Sequence, residues 1–364
     1  MKINSLILNS FRNYDQIKID FADGINVLVG KNAQGKTNIV EPIYIISALK
    51  SFRNSKLVDC IQDGKNNASI KAGITSKHSG TKTIEFTINK EGENEFKVNC
   101  NKITKKRDMF GHCFAVIFSP DELKLVKGSP DVRREFLDID ICQISSVYCD
   151  LLDRYDKVLQ SRNKLLKFNK SRQNLYAELD VWDYTLSVIG AQITTTRENF
   201  VSKITTKSRV IMGKLSKNAE ELTVQYIGIQ GNTREEKSAK LLEALQANRE
   251  RDIELGYTSV GPHRDEVKFF INGLEVKPYA SEGQQRSVVL ALKLAEMETI
   301  KEVEEEPVLI LDDVFSELDL SRRKALVEYL KGKQVFITCT NFTKIEDTDF
   351  AKFRVKNANI SREI

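Results

Sequence analysis

Gly30, Gly35, Lys36 and Thr37 fill the pattern GxxxxGKT inside the stretch GKNAQGKTN. Those residue types at that spacing hold a polyphosphate. Glycines let backbone N–H groups turn inward around phosphate oxygens, and a helix that begins at the lysine aims its positive end at the same anion. Lys31, Asn32, Ala33 and Gln34 complete the loop. The Lys36 ammonium is expected to reach the β- and γ-phosphates, and the Thr37 hydroxyl to ligate Mg²⁺. A second constellation is EPVLILDDVFSELD, an apolar run from Val308 to Leu311 that ends on two carboxylates. Asp312 is placed to hold Mg²⁺ through water, and Asp313 to orient or deprotonate an attacking water. An Asp at a strand end is by itself ordinary turn chemistry. The phosphate-binding pattern upstream turns it toward catalysis, which makes Lys36, Asp312 and Asp313 the expected catalytic set and ATP and Mg²⁺ the expected cofactors.

The elements that must position these groups can be read from periodicity. INSLILNSF, IKIDF and INVLVG are short apolar or alternating runs, and the third leads into the glycine loop. KTNIVEPIYIISALK reads as the helix that follows, with Pro42 expected to kink it or loosen its first half. ASIKAGITS, TKTIEFTINK, NEFKVNCN and CFAVIFS look like antiparallel hairpins. From Pro130 to about Ser216 the pattern is helical and nearly free of Pro and Gly; a strand, ELTVQYIGI, and a charged helix, NTREEKSAKLLEALQANRERDIEL, come next. In SEGQQRSVVLALKLAEME, Ser281 sits where an N-cap belongs, ahead of an amphipathic helix. The expected organisation is an α/β lobe built from residues 1–128 and 258–364, with a mostly helical lobe, 129–257, inserted between them.

The bulk composition narrows the class. The chain has 364 residues, 41% hydrophobic and 29% charged, with a net charge of +5. That is ordinary soluble globular composition, and the mild basic excess permits nucleic-acid binding without demanding it. Its six cysteines form no CxxC pair and its three histidines are scattered, so neither a zinc site nor a disulfide framework is expected, and a reduced cytoplasm is the natural compartment. The N-terminus has no signal-peptide core. No apolar run approaches the roughly 20 residues needed to span a bilayer, so no membrane association is expected.

SxGQQ before a helix, followed by an Asp-terminated apolar strand, resembles the signature segment of ABC-type ATPases. The resemblance implies that Ser281, Gly283 and Gln284 face the γ-phosphate held by a second copy, with two shared sites in a head-to-tail pair. FSELD, residues 315–319, matches the segment along that dimer seam. Two departures point to slow hydrolysis: Asp313 stands where most superfamily members carry Glu, and Thr338, Cys339 and Thr340 occupy the region where a His is usual. Thr37 and Asp312 are 275 residues apart, too far for a transporter's nucleotide-binding domain. The same gap is too short for the coiled-coil arm of a chromosome-organising SMC protein. The implied fold is an α/β, ABC-type P-loop ATPase head, with a mixed sheet and an antiparallel β-subdomain, plus an inserted helical lobe without a long coiled coil.

LNSFRNYDQIKIDF, KSFRN, FSPDELKLVKGSPDVRREFLD and TSVGPHRDEVKFFING, together with the loop and signature, resemble the RecF family over nearly the full length. In that family too the acidic pair is Asp–Asp; Pro42 departs from the family's pattern. The resemblance implies an ATPase that dimerises with ATP on double-stranded DNA and single/double-strand junctions, and that works with RecR and RecO in recombinase loading. Basic residues that could track a DNA backbone cluster at Lys50, Arg53 and Lys56, at Lys102, Lys105, Lys106 and Arg107, and at Arg162, Lys164, Lys167, Lys170 and Arg172. Arg133, Arg134, His263 and Arg264 lie in the family-like segments, and the residues alone leave open whether they serve nucleotide, dimer seam or DNA.

Overall fold

The computed structural model describes residues 1–53, 55–168, 172–314, 320–341 and 350–363, without the side chains of 172–174, 320, 321, 324 and 325. The chain opens with β1 (Lys2–Phe11) and β2 (Tyr14–Asp20), then β3 (Ile25–Val29), which leaves them for a different sheet. Helix α1 (Lys36–Ala48) follows and continues through Pro42. Strands β4 (Asn67–Ser76), β5 (Gly80–Asn89), β6 (Glu95–Val98) and β7 (Asn101–Ile103) return to the first pair, giving the antiparallel order β2-β1-β4-β5-β6-β7. Ala68, Ile70, Ala72 and Ile74 on β4 and Ile84, Phe86 and Ile88 on β5 are buried at every second position, as in a sheet with one wet face. CFAVIFS does not join them. All four residues of β8 (Ala115–Phe118) are buried, and this strand enters the other sheet. A continuous apolar run suits a parallel strand covered on both faces; the alternation that a hairpin needs is missing from it.

The helical part comprises α2 (Lys124–Lys127), α3 (Pro130–Ile144), α4 (Ser146–Phe168) and α5 (Arg172–Ser216). Helix α5 has 45 residues, a length of about 68 Å at the standard helical rise, and it packs against neighbours instead of pairing as a free coiled coil. After β9 (Leu222–Ile227), the expected single charged helix is two, α6 (Arg234–Ala247) and α7 (Arg249–Leu255), broken at Asn248. There the Asn248 side chain donates to the Ala244 carbonyl (2.8 Å), a local bond that competes with helix continuation. The chain then forms β10 (Glu266–Ile271), β11 (Leu274–Glu275), α8 (Val276–Tyr279) and α9 (Glu282–Val303). It ends with β12 (Val308–Asp312), α10 (Leu320–Leu330), β13 (Val335–Cys339), β14 (Phe350–Lys356) and β15 (Asn359–Glu363). The second large sheet has the order β15-β14-β3-β13-β12-β8, parallel from β14 to β8 with β15 antiparallel at the edge. One continuous cluster of buried side chains runs from these strands into α4, α5 and α9.

The family-like segments around Arg133 and Gly261 knit α3 to β10. Arg133 is buried and forks onto both oxygens of Glu266, at 2.7 Å each, and also donates to the carbonyls of Leu125 and Gly128. Arg134 donates to the Asp265 carbonyl (2.6 Å). Buried Arg197 on α5 spans Asp138 and the Pro262 carbonyl (2.7 Å). Arg264 lies 5.0 Å over the Tyr257 ring. Of the destinations left open for these residues, the structure assigns Arg133 to none: it is a strut.

His263 is part of the same knot. Its Nε2 donates to the Thr258 carbonyl (3.0 Å), so Nδ1 accepts from Tyr155 Oη (2.9 Å) and the ring is held neutral. Burial, then the nearby Arg264 and Arg134, push its pKa from 6.5 down to about 4. A group depressed this way adds stability that is complete above its ordinary value and is lost as pH falls from about 6.5 to about 4. Urea unfolding of the wild type at pH 7 and pH 4 should therefore lose on the order of 2 kcal/mol more than the same pair of measurements on His263→Gln. Equal losses in the two proteins would contradict the assignment.

Candidate functional site

Parallel register brings the chemistry to one edge. Cys339 aligns with Val29, and Thr338 with Asp312, so the loop after β3, the end of β13 and the end of β12 lie side by side at the carboxyl ends of their strands. Ligands bind in that position in open α/β sheets. The loop's glycines are required by its geometry. A Cβ on Gly30 would lie 2.3 Å from the Val355 carbonyl oxygen on β14. Gly35 has φ 107°, and a Cβ there would meet Tyr14 Oη at 2.7 Å. The loop is braced from outside by Tyr14, which donates to the Gly35 carbonyl (3.2 Å), and by Asn357, whose N–H reaches Gln34 Oε1 (2.7 Å).

Lys36 begins α1 and folds across the loop, donating to the carbonyls of Gly30 (2.7 Å) and Lys31 (2.9 Å). Burial lowers its pKa, opposed by Asp313, Cys339 and Asp312. The Thr37 hydroxyl donates to Asp312 Oδ1 (2.9 Å), and the Thr338 hydroxyl to the same oxygen (2.6 Å). Burial pushes the Asp312 carboxyl up, against the pull of those two hydroxyls and of Arg53. Asp313 adopts φ 56°, and its N–H is held by Thr338 O (3.2 Å) and Oγ1 (3.1 Å). The pair of hard oxygens on Thr37 and Asp312, beside the glycine loop and Lys36, fits Mg²⁺ next to a triphosphate. When bound, the metal would neutralise phosphate charge.

Two residues acquire places that their sequence context did not announce. Thr338, noted only as standing where a His is usual, holds the Asp312 carboxylate and the Asp313 backbone N–H; its signal is the one-to-one register of β13 with β12. Arg53, grouped with a basic cluster, donates to Asn38 Oδ1 on α1 (2.7 Å) and lies 3.7 Å from buried Glu41. Glu41 is also gripped by Arg12, at 2.5 Å and 3.0 Å. Lys50 pairs with Glu135 (2.6 Å), and Lys56 is exposed. Lys105 and Lys106 are exposed beside Arg107, which pairs with Asp150 (2.8 Å). Lys50 and Lys106, 56 residues apart by number, line one cavity of 520 Å³. Arg162 departs from its cluster entirely: it is fully buried and ion-paired. Lys170 and the Arg172 side chain lie outside the described residues, as does the seam segment 315–319.

Ser281 caps α9 as expected. Its hydroxyl accepts from the Gln284 N–H (3.3 Å), and Gln284 Oε1 accepts from the Ser281 N–H (2.9 Å), a reciprocal capping box. Gln284 Nε2 also donates to Glu220 (3.0 Å), and Gly283 O accepts from Ser287. None of these bonds reaches residues 30–37 of the same copy, and Ser281 is exposed.

A phosphate loop on one parallel strand, an acid-ended strand two places away and a serine-capped helix beyond it define an ABC-type ATPase head. The chain belongs to the RecF family, within the group described as RecF/RecN/SMC N terminal domain, whose model matches residues 2–360. A DNA replication and repair protein RecF of Alkaliphilus oremlandii is 41% identical over 368 residues, covering 99% of this chain and 100% of that one. A solved structure of the recombination mediator protein RecF with ATP, of the RecFOR pathway, superposes with a TM-score of 0.93 at 33% identity, covering 100% of this chain and 97% of that one. The Smc head domain of Pyrococcus furiosus, solved with an extended coiled coil, shares the fold alone, with a TM-score of 0.57 at 16% identity over 99% of this chain and 95% of that one. Among the described residues no helix is long and apolar enough to cross a membrane.

Proposed function

We propose that the chain is a cytoplasmic, ATP-dependent DNA-binding protein of recombinational repair and replication restart. Lys36 and the loop amides at Gly30–Thr37 hold the triphosphate, Thr37 and Asp312 hold Mg²⁺, and Asp313 positions the attacking water. Ser281, Gly283 and Gln284 of a twin copy close the site, so ATP drives head-to-tail dimerisation on double-stranded or gapped DNA. Hydrolysis is slow and times release: Asp313 is a short acid, and Thr338 at the neighbouring strand end bonds the two acids. RecR and RecO are the expected partners, since the ATP-bound neighbour belongs to the RecFOR pathway. The observation that carries this reading is the exposed, pre-capped Ser281 on a chain whose own loop and acids are already assembled.

DNA contacts are expected to be phosphate-dominated, with Lys50, Arg53, Lys56, Lys105, Lys106 and Arg107 as candidates and Arg53 also near the nucleotide. Binding to fluorescent gapped and blunt duplexes, with and without ATP and Mg²⁺, is the test. Wild type should gain at least about tenfold in affinity with ATP, Lys36→Ala should gain none, and log K should fall steeply with log salt. Equal binding with and without ATP, or a flat salt dependence, would count against the proposal.

A further inference from the structure

The inserted lobe grips the serine-capped helix α9 toward both of its ends. Toward the C-terminal end, Lys207 of α5 donates to the Glu298 carbonyl (3.1 Å) and pairs with Glu302 (2.6 Å). At the start, Glu220 Oε1 accepts from Gln284 Nε2 (3.0 Å). Glu220 stands just beyond the end of α5 at Ser216, in a turn that fixes it from several sides. Lys217 and Asn218 take left-handed backbone angles, φ 54° and 62°, and reverse the chain. The Glu220 N–H donates to Ser216 Oγ (3.1 Å). The flanking Ala219 carbonyl accepts from Asn272 Nδ2 (3.2 Å), and the Glu221 N–H donates to Asn272 Oδ1 (2.8 Å). Arg209 pairs with Glu221 (3.2 Å), and among the described residues no cation pairs with Glu220. Among those residues its other oxygen, Oε2, is buried without a hydrogen-bond partner. The acceptor strength of the carboxylate therefore falls on the Gln284 amide.

That bond decides which way the amide faces. Gln284 Oε1 accepts from the Ser281 N–H (2.9 Å), so Nε2 points at Glu220. A reversed amide would set its oxygen against a carboxylate and its NH₂ against the Ser281 N–H, two mismatches at once. With the amide held, the capping box closes through the Ser281 hydroxyl, which accepts from the Gln284 N–H and keeps its own proton. Ser281 is exposed, so that proton can go to an acceptor outside the copy. We propose that Glu220 is a positioning residue for the shared ATP site: it locks the Gln284 amide, and with it the Ser281 hydroxyl that donates to the twin copy's γ-phosphate. On the shared-site reading, on which this role rests, the signature segment does not set its own geometry alone. The inserted lobe supplies the acceptor that does.

Sedimentation velocity of the full chain in ATP and Mg²⁺, over a range of protein concentrations, is the test. Glu220→Met fills the same space without an acceptor, and Glu220→Ala removes the side chain. Both should weaken ATP-dependent dimers at least about tenfold, the scale of one hydrogen bond to a charged group. Glu220→Gln can still accept from Gln284 Nε2 and should return to within about threefold of wild type. The affinity of the monomer for a fluorescent ATP analogue should match wild type in all three, a result that a general loosening of the fold would not give. Two acceptor-free variants of different volume keep the test decisive if one of them misfolds. Glu220→Met dimers as tight as wild type, beside a Ser281→Arg chain that stays monomeric, would overturn the role of Glu220 and leave the shared site standing. Ser281→Arg dimers as tight as wild type would remove both. Glu220→Gln no better than Glu220→Met would also overturn the role of Glu220.

Discussion

Ser281→Arg is expected to remain a monomer in saturating ATP and Mg²⁺ while still binding ATP. The fold should survive the change. Ser281 is exposed, and losing its cap on α9 costs about 1 kcal/mol, small against the buried core on that helix. The phosphate loop, Asp312 and Asp313 make no hydrogen bond to Ser281 within one copy, so nucleotide affinity should hold. On the proposed shared-site reading the twin copy loses both a hydroxyl aimed at the γ-phosphate and the room to approach it. Turnover should then drop by roughly a hundredfold, the usual scale for one lost donor at a developing charge. Sedimentation velocity with and without ATP reads the dimer, and a nucleotide-binding assay reads the loop. Ser281→Asn, which keeps a capping oxygen, separates the cap from the seam: it should restore helix stability without restoring turnover. ATP-dependent dimers of Ser281→Arg equal to wild type would end the shared-site reading.

Arg162→Ala should be among the most destabilising single changes in the helical lobe, at about 3–5 kcal/mol. Arg162 Nε donates to Asp183 (2.6 Å), and Nη1 to Asp252 (2.7 Å) and to Thr258 Oγ1 (2.9 Å). The guanidinium and both carboxylates are fully buried, so truncation strands negative charge away from water. Arg249 also reaches Asp183 (2.7 Å), so Asp252 is the carboxylate left with less positive charge beside it. Lys cannot substitute, because a single ammonium does not span two carboxylates at these positions as a planar fork does. Arg162→Ala and Arg162→Lys should both lower the urea midpoint, with ATP binding retained, since the triad joins α4, α5 and α7 and takes no part in the phosphate loop. A loss below about 1 kcal/mol in Arg162→Ala would show that the triad carries little of the lobe's stability.

Local chemistry made much of this molecule legible from residue order. The phosphate loop follows from glycines at positions that only glycine can fill, the acidic pair from an apolar run that stops on carboxylates, and the Ser281 cap from a serine at the head of an amphipathic helix. The strands β4 and β5 follow from alternation. Each of these depends on a few consecutive residues, and their spacing records the geometry directly.

What required the folded chain was the set of partners chosen across long separations. The apolar run of β8 lacks a hairpin's alternation, but which sheet and which neighbour it takes is settled only by the room beside β12. Arg133 and Glu266 meet across 133 residues, Thr338 becomes the brace of Asp312 through register, and Arg162 is buried while Lys164 nearby stays exposed. A charged side chain reads the same in sequence whether it faces water or a buried carboxylate. Its fate depends on desolvation and on which opposite charge the packed helices bring within reach, and both exist only once distant segments have come together.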